Sequence, residues 1–231
     1  KLTEAWGQPV VVENRPGAAG QIAMSALKNA APDGLTLVMT PLVTVVTAPH
    51  VFAKLPYDAF ADFAPVAHTA DFLFAFTVGP ATHAASLRDY VALVKKDRKQ
   101  GNYASAGTGS LPHFFSLLFA RIAGIEMHHI GYKGTAPALT DLLGGQLGAF
   151  MGTVSDVAAQ HKAGKMRVLA TSGARRAREL TDVPTFRELG YPIEGAGWYA
   201  AYAPAKTPKA TVDRLANAII EALRLPEVRE K

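Results

Sequence analysis

The sequence predicts an α/β protein with mostly parallel sheets, divided into two lobes with a cleft between them. Three observations carry this. Apolar strand-like runs alternate with helix-like runs along nearly the whole chain, the pattern of a sheet with crossover helices. With 231 residues, 49% of them hydrophobic, the chain is long enough to bury a full core and to divide. Val78-Gly79-Pro80 and Gly195-Ala-Gly-Trp-Tyr199 read as crossings between lobes, making residues 1–79 with 195–231 one lobe and 80–194 the other. A ligand is then expected between the lobes, driving hinge closure.

The elements follow from local signals. Val10–Glu13 reads as a short strand and Ala18–Ala31 as a helix ended by Pro32-Asp33-Gly34. Leu35–Met39 is a strand, and Phe63–His68 and Phe72–Val78 are two more, separated by a turn at Ala70-Asp71. Ser86 caps a helix over Ser86–Lys96. Strand Asn102–Ser105, helix Leu111–Ala123, strand Glu126–Ile130 and helix Thr135–Leu143 come next, the last stopped by Gly144-Gly145. Leu147–Met151 is a strand, Ser155–Ala163 a helix, Arg167–Ser172 a strand and Pro184–Leu189 a short helix ended by Gly190. Trp198–Ala203 is a strand and Pro208–Leu225 a long helix. On the helix after Ser110, Phe114, Leu117, Leu118 and Ile122 recur at helical spacing and read as core.

Composition narrows the function classes. Charged residues make up 19% and there is no low-complexity tract, so the chain folds. Its longest apolar run, Phe72 to Val78 with Thr77 inside it, is too short to span a bilayer. The absence of cysteine excludes disulfides and thiol chemistry. A net charge of +5 favours acidic partners. The basic clusters Lys95-Lys96-Asp-Arg98-Lys99 and Arg175-Arg176-Ala-Arg178 lack interleaved aromatics, so nucleic acid is not an expected partner. No signal peptide is visible; Lys1-Leu-Thr-Glu-Ala-Trp6 reads as the tail of a helix already under way, with a segment expected upstream.

Two segments concentrate the chemistry: Asn102-Tyr-Ala-Ser-Ala-Gly-Thr-Gly-Ser-Leu-Pro-His113 and Ile130-Gly-Tyr-Lys-Gly-Thr-Ala-Pro137. In each, a strand-like run meets a glycine-rich turn and then Ser or Thr two residues before Pro, with Ser110 and Thr135 as candidate N-caps. Glycine allows backbone N–H groups to approach a bound group, and a helix N-terminus favours negative charge. The pattern fits a pocket for a small carboxylate or phosphate, and equally an ordinary strand-to-helix turn. The candidates are Ser105, Ala106, Gly107, Thr108, Gly109 and Ser110 in the first mouth, with His113 in the first helical turn. The second contributes Tyr132, Lys133, Gly134 and Thr135, Lys133 being the one cation in a glycine-flanked mouth. Thr40 and Pro41 after an earlier strand, and Gly152, Thr153 and Ser155 after a later one, are placed to face the cleft.

Other chemistries lack their patterns. Gly17-Ala-Ala-Gly20 follows Arg15-Pro16 without the Gly-Lys-Ser/Thr of a phosphate loop and reads as a close-packed helix start. His128-His129 on one strand point to opposite faces and do not chelate one ion; the other histidines show no metal spacing, and no metal or cofactor is expected. There is no G-x-S-x-G elbow and no carboxylate pair in the mouths. The near absence of acids there suits an anion.

Several segments in order resemble one family, the substrate-binding proteins of tripartite tricarboxylate transporters, called Bug proteins. They are Gly7-Gln-Pro-Val-Val-Val-Glu-Asn-Arg-Pro-Gly-Ala-Ala-Gly20, Ala31-Pro-Asp-Gly34, Leu55-Pro-Tyr-Asp58, Asp62-Phe-Ala-Pro65, Tyr103-Ala-Ser-Ala-Gly-Thr-Gly-Ser110, Tyr132-Lys-Gly-Thr-Ala-Pro-Ala-Leu-Thr-Asp-Leu-Leu-Gly-Gly-Gln146 and Asp182-Val-Pro-Thr185. The resemblance implies a type II periplasmic-binding-protein-like fold and a periplasmic, non-catalytic protein. It further implies a monomer that captures small carboxylates for a membrane permease. The family opens with a further strand and glycine-rich loop and continues past the last helix, so this chain is expected to lack both. Where the family often carries an Asp-Asn pair, this sequence has Gly152-Thr153, which favours plain mono- or dicarboxylates over amino acids. The alternatives are an enzyme on a small acidic metabolite with His113 and Lys133 as proton carriers, or a ligand sensor with a signalling partner.

Overall fold

Glycine and proline punctuation sets where most elements begin and end. The computed structural model describes residues 1–15 and 17–229; Pro16 of the Arg15-Pro16 approach and the stop at Lys231 lie outside the described residues. In chain order the elements are α1 (Leu2–Trp6), α2 (Gln21–Lys28), β1 (Val38–Pro41), α3 (Ala48–Val51), β2 (Phe63–Val78), α4 (Leu87–Lys96), β3 (Asn102–Ser105) and α5 (Leu111–Ala123). They continue with β4 (His128–Gly131), α6 (Thr135–Leu143), β5 (Ala149–Thr153), α7 (Val154–Lys162), β6 (Arg167–Thr171), β7 (Ala196–Pro204), α8 (Lys209–Arg224) and α9 (Pro226–Arg229). Ser86 Oγ accepts the Asp89 N–H at 3.1 Å and opens α4. Gly124, at φ 62°, turns α5 off while its N–H returns to the carbonyls of Ala120 and Arg121.

Packing divides the chain into two compact units: residues 1–71 with 198–231, and residues 72–197. In the second unit, β3 lies between β5 and β4 and is parallel to both, while the later part of β2 pairs antiparallel with β5 and β6. One core joins Phe74, Phe76, Tyr90, Tyr103, Phe119, Met151 and Phe186; a second joins Ala75, Leu142, Phe150, Val157 and Leu180. In the first unit, β1 pairs antiparallel with β7, and Met24, Leu27, Tyr57, Phe63 and Tyr202 form the main core. Among the described residues no helix is long and apolar enough to cross a membrane.

Five expectations change. Parallel pairing is confined to β3, β4 and β5, which helices connect; β1 with β7 and β2 with β5 and β6 run antiparallel, so the sheet is mixed and not mostly parallel. The two strands expected around Ala70-Asp71 are one, β2, because that pair contains neither Gly nor Pro to break the chain. Val10–Glu13 is not a strand: no described segment supplies it with a ladder, and Val11 and Val12 are 86% and 83% exposed. Ala18 and Ala19 take left-handed φ of 45° and 53° in a tight turn, which delays α2 to Gln21. Pro184–Leu189 stays a turn, closed by Thr185 N–H to the Glu188 carboxylate (2.7 Å) and Glu188 N–H to Thr185 Oγ1 (3.1 Å).

Helix α5 corrects a core assignment. Its Phe114, Leu117, Leu118 and Ile122 are exposed, whereas Ser116, Phe119 and Ala120 are buried and Leu111, Phe115 and Ala123 pack beside them. The helix is apolar on two faces, and periodicity fits either; the aromatic cluster of Phe119 with Phe76 (5.2 Å), Phe186 (5.6 Å) and Tyr191 (5.2 Å) selects one. Phe119→Ala is therefore expected to cost about 3–5 kcal/mol in urea unfolding. Leu118→Ala, one position on and exposed, should cost less than about 1 kcal/mol; equal losses would contradict the assignment of faces.

Candidate functional site

Because β5, β3 and β4 are parallel, they end on the same edge of their unit, and α7, α5 and α6 start there. Ligands of α/β sheets gather outside such strand ends. The three mouths are stitched together. Tyr132 N–H donates to Ser105 O (3.0 Å) and Gly134 N–H to Ala106 O (3.3 Å), joining the loop after β4 to the loop after β3. Thr135 Oγ1 donates to Asp156 Oδ2 (3.4 Å), which also accepts Thr153 N–H (3.1 Å), joining α6 to the start of α7.

In the first mouth the hydroxyls are spent inward. Ser110 Oγ donates to Gly107 O at 2.6 Å, and the buried Ser105 Oγ reaches the same carbonyl at 3.1 Å. Ser110 thus occupies the N-cap position of α5, but its side chain shapes the loop and caps no amide. The amides of Thr108 and Ser110 bond to no group among the described residues, so both remain free donors at the N-terminus of a 13-residue helix. Gly109, at φ 78°, gives its N–H to His113 Nδ1 (3.2 Å). Space for this turn comes from Gly131: a Cβ there would stand 2.6 Å from Thr108 Oγ1.

In the second mouth, Gly134 takes the N-cap position of α6 at φ 109°, and Thr135 is its first helical residue, not its cap. The Tyr132 hydroxyl donates to Asp141 Oδ2 at 2.6 Å, and that bond holds its proton on, raising its pKa. Lys133 is exposed and forms no ion pair among the described residues. Gly152 is buried, its missing Cβ leaving room for the Phe150 ring 2.2 Å from where it would stand. Thr153 and Asp156 form a capping box at the start of α7, and Thr153 Oγ1 lies 2.8 Å from Ser155 Oγ.

Thr40 and Pro41 belong to the other unit. Thr40 is buried and its Oγ1 meets Thr44 Oγ1 at 3.0 Å; a Cβ on Gly20, at φ 87°, would stand 2.6 Å from Thr44 Cγ2. The Gly17–Gly20 turn is thus the close-packed helix start that its glycines suggested.

Two residues that shape the mouths escaped the sequence reading. His129 Nε2 lies 2.7 Å from Ser105 Oγ, and its ring stacks on that of His113 with centroids 4.0 Å apart. Burial first, then the neighbouring His113, pushes its pKa down to about 4. Burial also lowers His113. The signal was available in principle: parallel pairing puts His129 opposite Tyr103 and hence on the face of Ser105. Asp156, which ties two mouths together, carries the ordinary N3 signal of a capping box.

A model described as "Tripartite tricarboxylate transporter family receptor" matches residues 1–231. Among solved structures, the chain is 30% identical to the periplasmic binding protein BugD, with a TM-score of 0.92 over 99% of this chain and 77% of that one. It is 30% identical to MatC of Rhodopseudomonas palustris with bound malate, TM-score 0.90, covering 99% and 78%. A further R. palustris protein, with adipate, is 29% identical at a TM-score of 0.93, covering 98% and 76%.

Gly131→Ala should move the Thr108 loop, because the new methyl cannot share the position of Thr108 Oγ1. Amide resonances of Thr108, Gly109 and Ser110 are expected to shift most; an unchanged spectrum there would show that the loop does not lean on Gly131.

Proposed function

Since the chain belongs to the tripartite tricarboxylate transporter receptor family, we propose that it captures a small mono- or dicarboxylate in the periplasm and hands it to a membrane permease. The observation that carries this reading is the pair of amides, Thr108 and Ser110, at the N-terminus of α5 that have no partner among the described residues. Backbone donors held there in advance replace the water around a carboxylate with little ordering cost, and the helix end favours its charge. The β3–α5 mouth, residues 105–113, contains no Asp or Glu to repel the anion, and Lys133 in the neighbouring loop is an exposed cation with no ion pair among the described residues.

The relatives support the chemical class. One binds malate and another adipate, both dicarboxylates, and BugD is a periplasmic binding protein. Gly152-Thr153 offers no carboxylate to hold an amino group, which favours unsubstituted acids over amino acids. Capture alone accounts for these features, with no covalent step. The division into lobes at residues 1–79 with 195–231 and 80–194, the monomeric state, and contact of Tyr132 and Thr135 with ligand are parts of the same proposal.

Titration calorimetry with malate and adipate tests it. The double variant Thr108→Val, Ser110→Ala removes two of the three hydroxyls of the mouth and leaves the Gly107 carbonyl only its longer bond from Ser105 Oγ (3.1 Å) in place of the 2.6 Å bond from Ser110, so the loop loses its tighter anchor. Affinity is expected to fall by about tenfold or more, the equivalent of losing one or two charge-assisted hydrogen bonds. Unchanged affinity in a folded double variant would remove this mouth from the account.

A further inference from the structure

Two imidazoles line the β3–α5 mouth, and simple capture by amides gives neither a task. His113, in the first turn of α5, stacks on His129 of β4 with ring planes 24° apart and centroids 4.0 Å apart. Each ring holds one group of the mouth: His113 Nδ1 accepts the Gly109 N–H at 3.2 Å, and His129 Nε2 meets Ser105 Oγ at 2.7 Å. The other groups against them are Tyr103 of β3, its ring 5.1 Å from His129 and its hydroxyl 3.5 Å from the His113 carbonyl, and the Phe114 ring 5.6 Å from His113.

The charged residues on the neighbouring elements are turned elsewhere. Arg121, Glu126, His128 and Lys133 are exposed; Asp141 accepts from Tyr132, and Asp156 from Thr135 and Thr153. No carboxylate among the described residues pairs with either ring.

This geometry restricts the protons. Two imidazolium rings stacked with centroids 4.0 Å apart would repel each other, so the pair accepts at most one proton. Gly109 donates to His113 Nδ1, which requires that nitrogen to be bare. A proton on Nδ1 breaks the bond, releases the Gly109 amide beside those of Thr108 and Ser110, and sets a charged N–H next to them. A carboxylate seated on these amides supplies the counter-charge that the empty site lacks.

We propose that His113 and His129 are positioning residues that couple carboxylate capture to the uptake of one proton. While both rings are neutral, the stacked pair ties up the Gly109 N–H and the Ser105 hydroxyl. In the occupied mouth a proton on His113 turns the Gly109 amide toward the anion. This rests on the carboxylate reading above. Burial favours the neutral form of both rings, and an anion seated beside His113 would favour its charged form. The gain in affinity is therefore complete only below the ligand-free pKa of His113 and is lost as pH rises through its higher, ligand-bound pKa.

Calorimetric titration of the chain between pH 6 and 8.5, with adipate or malate, whichever binds more tightly, provides the test. Both carboxylates of the probe are about nine-tenths or more ionised from pH 6.5 upward, the interval over which the slope is read. Buffers of different ionisation enthalpy should reveal uptake of up to one proton per ligand, and binding at pH 8 should be about tenfold weaker than at pH 6.5. His113→Asn, which keeps an acceptor for Gly109 but cannot take a proton, is expected to lose the gain at low pH and give a flat profile. Binding by the unaltered chain that is independent of pH, with no proton uptake, would overturn the proposal and leave carboxylate capture standing. A wild-type slope in His113→Asn would overturn it as well. A folded chain that binds neither acid at any pH would overturn both readings.

Discussion

The parallel pairing of β3 with β5 on one side and β4 on the other is the constraint on which the site depends. In register, Tyr103 faces Ala149 and His129, and Ser105 faces Gly131. Parallel neighbours cannot be joined by a hairpin, so each needs a helical crossover. The result is three helix starts on one edge, two of them preceded by glycine-rich turns. Hydrogen bonds from Tyr132 and Gly134 back to the carbonyls of Ser105 and Ala106 then hold the first two mouths in a fixed relation.

Within that frame the mouth works by spending some polar groups so that others stay free. The hydroxyls of Ser105 and Ser110 converge on one carbonyl, Gly107, and hold the loop in its turn. The Thr108 and Ser110 amides are left without an acceptor among the described residues. Had the hydroxyls capped the helix, as their position suggests, the loop would have had no internal anchor and the free donors no fixed direction. Glycine at 131 is the steric condition for this arrangement, since Thr108 occupies the space of its absent side chain.

Legibility along the chain tracks how local each cause is. Strand β3 and helices α5 and α6 begin and end where the sequence placed them, because Gly, Pro and Ser punctuate them directly. Ser86 is a working cap for the same reason. Strands β4 and β5 slide by one or two residues toward their mouths, as strand ends depend on the partner ladder. Val10–Glu13, without a ladder among the described residues, and the outward stripe of α5 were not legible: each is decided by what lies alongside, and the intrinsic pattern fits more than one outcome.

The sequence by itself determined the α/β alternation, the two glycine-rich mouths, the absence of acids in the first of them, and the ordered motifs that mark the family. These are properties of neighbouring residues, and neighbours along the chain share them before anything folds. Tertiary structure alone decided that Ser105 meets His129 24 residues away, that Thr135 meets Asp156 21 residues away, and that Ser110 serves its loop and not its helix. Such contacts have no local signature, because a side chain's partner is chosen by strand register and helix facing, and those are set only when the cores around Phe119 and Phe150 close.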